Sequence, residues 1–231
     1  MFSVIILAAG NSTRMQGTNK QLAKINDTPV FVMSALAFQR SEMVKEIIIA
    51  APEEEASRYE KMARNFGVDK LKTAVAGGET RFLSVKNALA QVSKDCTHIA
   101  IHDGARPLIT TADIDRVLAD AVKYDAAIAA SPATDTVKMV GSNGFIESTP
   151  PREKLYYAQT PQAFLKKLYL DCIQKLGSAA ENLTDDSALI EQCGGYVRIT
   201  EITACNMKIT RPDDLAAAEA IYTNRNTVKR L

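Results

Sequence analysis

Apolar and polar positions along this chain follow two rhythms. Short apolar runs at Val4 to Leu7, Glu46 to Ala51, Lys72 to Ala76, Thr97 to Ile101 and Ala126 to Ala130 read as strands. The first, all aliphatic, has the look of a strand buried on both faces of a parallel sheet. Between the runs, helical spacing takes over. Val30, Met33, Leu36 and Ala37 mark a helix over Pro29 to Gln39, and two more follow at Glu53 to Phe66 and Thr80 to Val92. A fourth, capped by Thr110 or Thr111, runs through Tyr124. Strand and helix alternate, which predicts an α/β fold around a mostly parallel central sheet.

From Pro132 to Pro151 the pattern breaks. Thr136 to Val140 and Gly144 to Ser148 alternate in character around Gly141-Ser142-Asn143-Gly144, the pattern of a β-hairpin. Two strands alone are marginal in water, so this hairpin needs a partner, either the body of the domain or another subunit. An amphipathic helix then runs to about Leu176, and Thr184-Asp185-Asp186-Ser187 opens a short helix with a side-chain cap. Strands are expected near Tyr196 to Thr200 and Asn206 to Thr210. A last helix opens at Arg211-Pro212, with a frayed tail after Asn224.

The length, 231 residues, fits one large α/β domain spanning 1–231, with the hairpin at about 132–151 as an arm. With 28 Lys and Arg against 27 Asp and Glu, no global attraction to nucleic acid or another polyanion is implied, so any functional positive charge is local. Cysteines at 96, 172, 193 and 205 lack zinc spacing and read as reduced thiols of a cytoplasmic protein; no membrane or secretion signal is expected. His98 and His102 share one strand and point the same way.

Chemistry gathers where strands end. After Leu7 come Ala8, Ala9 and Gly10, bare backbone, then a polar loop through Asn11, Ser12 and Thr13 whose only charges are Arg14 and Lys20. Such a loop suits a polyphosphate, although it is neither G-x-x-x-x-G-K-[ST] nor G-x-G-x-x-G. The third strand repeats the design with Gly77-Gly78 ahead of Arg81 and Ser84, whose hydroxyl suits a base or ribose. A glycine pair alone is ordinary punctuation; two successive strands ending in small residues point to one ligand shared at the strand ends. The fourth strand runs into His102-Asp103-Gly104-Ala105-Arg106-Pro107. Asp103 there is either a carboxylate for Mg²⁺ or ribose, beside a phosphate-matching Arg106, or the two form a structural salt bridge.

Taken in order, L-A-A-G-N-S-T-R-M with K-Q, G-G-E-T-R-F-L-S-V, H-D-G-A-R-P, T-P-Q-A-F, T-D-D-S and N-M-K-I-T-R-P-D-D-L resemble the 2-C-methyl-D-erythritol 4-phosphate cytidylyltransferase family over nearly the whole chain. The resemblance implies a three-layer, Rossmann-like nucleotidyltransferase fold with a protruding β-hairpin, and transfer of CMP from CTP to a polyol phosphate. It implies that Ala8, Ala9, Gly10, Gly78, Ser84, Gly104 and Ala105 hold the nucleotide, and that Arg14 and Lys20 hold the triphosphate and stabilise the transition state. Asp103, Arg106, Thr136, Thr160 and Thr184 would line the acceptor side, with Arg152 and Lys208 on its phosphate. Mg²⁺ would ride mostly on CTP, Asp103 being its candidate protein ligand, and the arm would join a homodimer. Asn19 departs from the family, which often has proline before the lysine, as does Gly104, where alanine is common.

Two rivals stand beside this reading. Ribitol 5-phosphate cytidylyltransferases more often read L-A-G-G in the first loop and V-R-D before T-P-Q, against Leu7-Ala8-Ala9-Gly10 and Pro151-Arg152-Glu153 here. A non-catalytic nucleotide-binding module would have no need of both Lys20 and Lys208. The chemistry is consistent with transfer: a phosphate monoester, with a second pKa of about 6, is already an anionic nucleophile and needs no general base.

Overall fold

The apolar runs pair into one seven-stranded sheet in a computed structural model that describes residues 1–10, 15 and 19–228. Arg14 and the segments 11–14, 16–18 and 229–231 lie outside the described residues. In chain order the sheet strands are β1 (Phe2–Leu7), β4 (Val44–Ala51), β5 (Leu71–Ala76), β6 (His98–Asp103), β7 (Ala126–Pro132), β10 (Tyr156–Leu165) and β11 (Arg198–Glu201). A two-stranded piece, β2 (Lys24–Ile25) with β3 (Thr28–Pro29), turns through Asn26 and Asp27, both at positive φ. The helices are α1 (Val30–Gln39), α2 (Ala56–Asn65), α3 (Arg81–Leu89), α4 (Thr111–Tyr124), α5 (Lys166–Leu176), α6 (Asp186–Gln192) and α7 (Pro212–Val228).

The sheet order is β11-β7-β10-β6-β1-β4-β5. All neighbours run parallel except β10, which is antiparallel to both β6 and β7. Alternate residues of the central strands go to opposite faces. Val4, Ile6, Ile47 and Ile49 pack with α1, α2 and α4 through Phe31, Tyr59 and Val117. Ile5, Ile48, Ile99 and Ile101 pack with α3, α5 and α6 through Val85, Tyr169 and Leu189. Three layers result. Full burial of each such aliphatic side chain is worth roughly 1.5–3 kcal/mol, which is why these runs carry no polar face.

Three expectations need correcting. The segment Tyr156–Leu165, read only as a motif, is a full central strand; Pro161 sits inside it where the pairing to β7 shifts register between Ala158 and Gln162. Asn206 to Thr210 joins no sheet, and is docked instead by the Ile209 N–H donating to the Ala105 carbonyl at 2.8 Å. The last helix does not fray at Asn224 but runs to Val228, because Arg225 donates to the carbonyls of Leu108 and Cys205, each at 2.7 Å. The hairpin forms as expected but is shorter, β8 (Met139–Val140) with β9 (Ile146–Ser148), turning through Gly144 at φ +82. It stands apart from the main sheet and exposes Met139, Val140, Phe145 and Ile146.

Candidate active site

Strand order reverses at β1, with β4 and β5 on one side and β6 on the other, so the carboxyl ends of β1 and β6 open the crevice where such sheets bind ligands. A cleft of about 290 Å³ lies there. Leu7, Ala9 and Gly10 line it from the exit of β1, Gly78 and Ser84 from the turn after β5, and Asp103 and Ala105 from the exit of β6. Glu79, Thr80 and Arg81 line it beside that turn, and Lys20, Gln21 and Lys208 line it from segments outside the sheet. A larger groove of about 570 Å³ crosses β11 and α4 past Arg116, Tyr156 and Arg198, but it holds none of the residues the sequence singles out.

The close approach of the strand ends explains the glycines. A Cβ on Gly77 would come within 2.3 Å of the Ala9 Cβ, and one on Gly104 within 3.0 Å of the Leu7 carbonyl and 2.8 Å of Gln21 Oε1. Glycine at 104, where the family favours alanine, therefore leaves room for Gln21. Ser84, within α3, braces the turn: its Oγ accepts from the Gly78 N–H at 3.0 Å and donates to the Thr80 carbonyl at 3.0 Å. Thr80 caps α3 by accepting from the Leu83 N–H. Asn19 is itself tied down: its side chain donates to Tyr59 Oη at 3.1 Å and accepts from the Gln21 N–H at 3.0 Å.

Asp103 is the electrostatic centre. Lys208 Nζ lies 2.8 Å from its Oδ2, Arg106 Nε 3.6 Å from the same oxygen, and Arg81 Nε 3.9 Å from Oδ1. Burial would raise its pKa, but Lys208, Arg81 and Arg106 override that and hold it far below the usual carboxylate range. Arg81 also meets Asp186 at 2.6 Å, and despite its burial this acidic surrounding pushes its pKa up. Asp186, at the start of α6, accepts from the Tyr169 hydroxyl at 2.6 Å. Burial, with Asp186 adding to it, drives that phenol well above its ordinary pKa.

Beneath the cleft a hydrogen-bonded chain fixes the turn that carries Asp103. The Asp103 N–H donates to Thr160 Oγ1 at 3.0 Å, and that hydroxyl lies 3.1 Å from Nδ1 of His102. The Thr160 hydrogen therefore points to Nδ1, and His102 Nε2–H donates to the Arg106 carbonyl at 3.2 Å. His102 is wholly buried, and burial brings its pKa down to about 4, so it is neutral.

The structure thus brings together Ala9, Gly10, Lys20, Gly78, Ser84, Asp103, Ala105 and Lys208. Ala8 points into the core, Thr160 is buried below the site, and Arg106 turns its Nη1 onto the Asn206 carbonyl at 2.8 Å. Both readings of the Asp103 and Arg106 pair had been open; Arg106 lies against Asp103 and is not among the residues lining the cleft. Thr184 is exposed ahead of α6, while Thr136 lies in the arm and Arg152 directly after it, Arg152 donating to the Thr134 carbonyl at 2.9 Å. Sequence reasoning left Gln21, Arg81, Asp186 and Tyr169 without roles. The order G-G-E-T-R, which places an arginine in the first turn of a helix behind a bare strand end, was the available signal for Arg81.

Fold and site together define an α/β nucleotidyltransferase with a Rossmann-like sheet. Within that class the chain belongs to the 2-C-methyl-D-erythritol 4-phosphate cytidylyltransferase family, which it matches over residues 2–224. It is 42% identical over 219 residues to the 2-C-methyl-D-erythritol 4-phosphate cytidylyltransferase of Caldanaerobacter subterraneus subsp. tengcongensis, covering 94% of this chain and 96% of that one. Among solved structures, 4-diphosphocytidyl-2C-methyl-D-erythritol synthase from Anaerococcus prevotii superposes with a TM-score of 0.85 at 27% identity, covering 96% of this chain and 98% of that one. The 2-C-methyl-D-erythritol 4-phosphate cytidylyltransferase of Francisella tularensis superposes with a TM-score of 0.78 at 27% identity, covering 95% and 99%.

Proposed function

We propose that the protein transfers CMP from CTP to 2-C-methyl-D-erythritol 4-phosphate, giving 4-diphosphocytidyl-2-C-methyl-D-erythritol and pyrophosphate, a cytoplasmic step of non-mevalonate isoprenoid synthesis. The observation that carries this reading is the family match over residues 2–224, with Lys20 and Lys208 lining one cleft at the strand-order reversal. Bare backbone at Ala9, Gly10 and Gly78 receives the cytidine, and Lys20, with Arg14, meets the triphosphate. A phosphate oxygen of the acceptor attacks the α-phosphorus in line; a new P–O bond forms as the bond to the β-phosphate breaks, and pyrophosphate leaves. The nucleophile is already ionised, so the residues position it and offset charge. Lys208 holds the acceptor phosphate.

The family implies a divalent cation. Among the described residues no three His, Cys, Asp or Glu side chains group as a metal site, and Asp103 is a single carboxylate beside cations. Asp103, the candidate ligand, is already compensated by Lys208, Arg106 and Arg81, so the residues present fit a Mg²⁺ that would be held mainly by the triphosphate and water. When bound it neutralises phosphate charge. The described residues contain no helix long and apolar enough to cross a membrane.

The arm completes the reading. Its exposed Met139, Val140, Phe145 and Ile146 form an apolar surface on a two-stranded ribbon too small to stand alone, which suits clasping a second copy. In such a homodimer Thr136 and Arg152 serve the partner's cleft. The experiment is a pyrophosphate-release assay that crosses CTP, UTP and ATP with methylerythritol phosphate and ribitol 5-phosphate, with and without excess chelator. Release with CTP and methylerythritol phosphate, abolished by chelator, is expected. Preference for ribitol 5-phosphate would overturn the acceptor, and binding of CTP without release would favour a non-catalytic module.

A further inference from the structure

Among the described residues, the Asp103 carboxylate has one full contact and two near misses. Lys208 touches it at 2.8 Å, whereas the Nε–H groups of Arg106 and Arg81 stand at 3.6 and 3.9 Å, just beyond hydrogen-bond distance. Arg106 Nε is buried and has no hydrogen-bond partner among the described residues, a state that carries a desolvation penalty. Its Nη1 is fastened to the Asn206 carbonyl. Arg81 is fastened from behind by Asp186, which is in turn held by the buried Tyr169. Lys208 is different. It ends a flexible stem, is 39% exposed at its side chain and lines the cleft; Arg81 also lines the cleft and is 32% exposed, but it is anchored on Asp186, so among the described residues Lys208 is the cation placed to leave.

We propose that Asp103 parks Lys208 in the ligand-free protein, and that Arg81 is the positioning residue that lets it go. When the acceptor's phosphate enters, Lys208 turns to it, while Arg106 and Arg81 close on the vacated carboxylate. This rests on the reading that Lys208 binds the acceptor phosphate. A largely buried carboxylate stripped of its one close partner among the described residues is strongly disfavoured, so without standby cations the lysine would be held on Asp103 in competition with the substrate. Two guanidinium groups already near the carboxylate make the exchange nearly balanced.

The test replaces the ion pair together, Arg81→Gln with Asp186→Asn, so that neither charge is stranded and the new amide still accepts from Tyr169. The acceptor KM is expected to rise roughly fivefold, the size of one partly screened charge interaction, with a smaller change in the CTP KM and in kcat. A fall in kcat at unchanged acceptor KM overturns the proposal. A second readout needs no turnover: trace acylation by acetic anhydride, with peptide mass spectrometry, compares Lys208 with the exposed Lys167. Losing Arg81 should hold Lys208 more tightly on Asp103 and slow its labelling roughly threefold. Equal or faster labelling overturns the proposal. Should the wild-type protein release no pyrophosphate with any substrate pair, the proposed function fails, and the labelling still decides the parking of Lys208.

Discussion

Lowering the pH tests the buried histidine under the site. His102 is fully buried and neutral, its pKa taken from an ordinary 6.5 to about 4, chiefly by burial; Asp103 and Arg106 act on it in opposite directions. Below pH 6.5 the unfolded chain binds a proton that the folded protein refuses, so stability is full above that pH and falls as pH drops toward about 4. At about 1.4 kcal/mol per pKa unit, the gap amounts to about 3 kcal/mol in total and about 2 kcal/mol by pH 5. Carboxylates held below their usual range, among them Asp103, Asp113 and Glu60, work in a different window. Their contribution is present above the unfolded carboxylate pKa near 4 and is lost only as pH falls further.

Urea unfolding followed by circular dichroism at pH 7.5 and 5.0, in buffer with chelator, reads this directly. His102→Gln keeps a donor for the Arg106 carbonyl and loses the ring packed on Phe38, so it is less stable at pH 7.5. It should nevertheless show a loss between the two pH values smaller by about 2 kcal/mol than that of the wild type. His98, whose pKa burial also lowers, is present in both proteins and drops out of the comparison. Equal losses in the two proteins would show that His102 is not held neutral, and the hydrogen-bond chain through Thr160 to Asp103 would have to be redrawn.

Lys20→Ala and Arg14→Ala should each cut turnover strongly, by about 2.7 to 4 kcal/mol of transition-state stabilisation, with thermal unfolding unchanged; near-normal kcat with only a raised KM would refute their roles. If Arg152 serves the partner's cleft, mixing exchanged Lys20→Ala and Arg152→Ala subunits should restore about a quarter of wild-type activity, because half the dimers are mixed and each has one intact site. No recovery, or a monomer in solution, would refute the arm exchange.

Much of this was legible because burial on both faces writes itself as unbroken apolar runs. β1, β4, β6 and β7 were recognisable from Val4 to Leu7, Glu46 to Ala51, Thr97 to Ile101 and Ala126 to Ala130 alone. β10 was not, because a proline within a run argues against a central strand. The structure accommodates Pro161 at a register shift: Thr160, inside the shift, accepts from the Asp103 N–H, while Gln162, paired with Ile101 and Ile128, turns its side chain to Asp185 and Ser187. The part of the cleft lined by Ala9, Gly10 and Gly78 was readable from small residues at strand ends. The Arg81, Asp186 and Tyr169 chain was not, because it joins residues from three helices, and no local pattern records which charges meet across a fold.

That division has a mechanical consequence. Ala9, Gly10 and Gly78 follow strands whose every neighbour is fixed by the sheet ladder, and the Gly77 turn is pinned both by its N–H on the Ala51 carbonyl at 2.7 Å and by Ser84. The side assigned to the acceptor is built otherwise: Lys208 lies on a segment outside the sheet, Thr184 on an exposed loop, and Thr136 and Arg152 at the arm. Rigid backbone can discriminate among bases by shape and hydrogen bonding at fixed positions, whereas side chains on unpaired segments can be replaced without disturbing the core. Discrimination between methylerythritol and ribitol phosphates should therefore reside in Thr136, Arg152, Thr184 and Lys208. Exchange of the arm and the loop before α6 is the change that would move it, while the bare strand ends, and with them the choice of base, stay as they are.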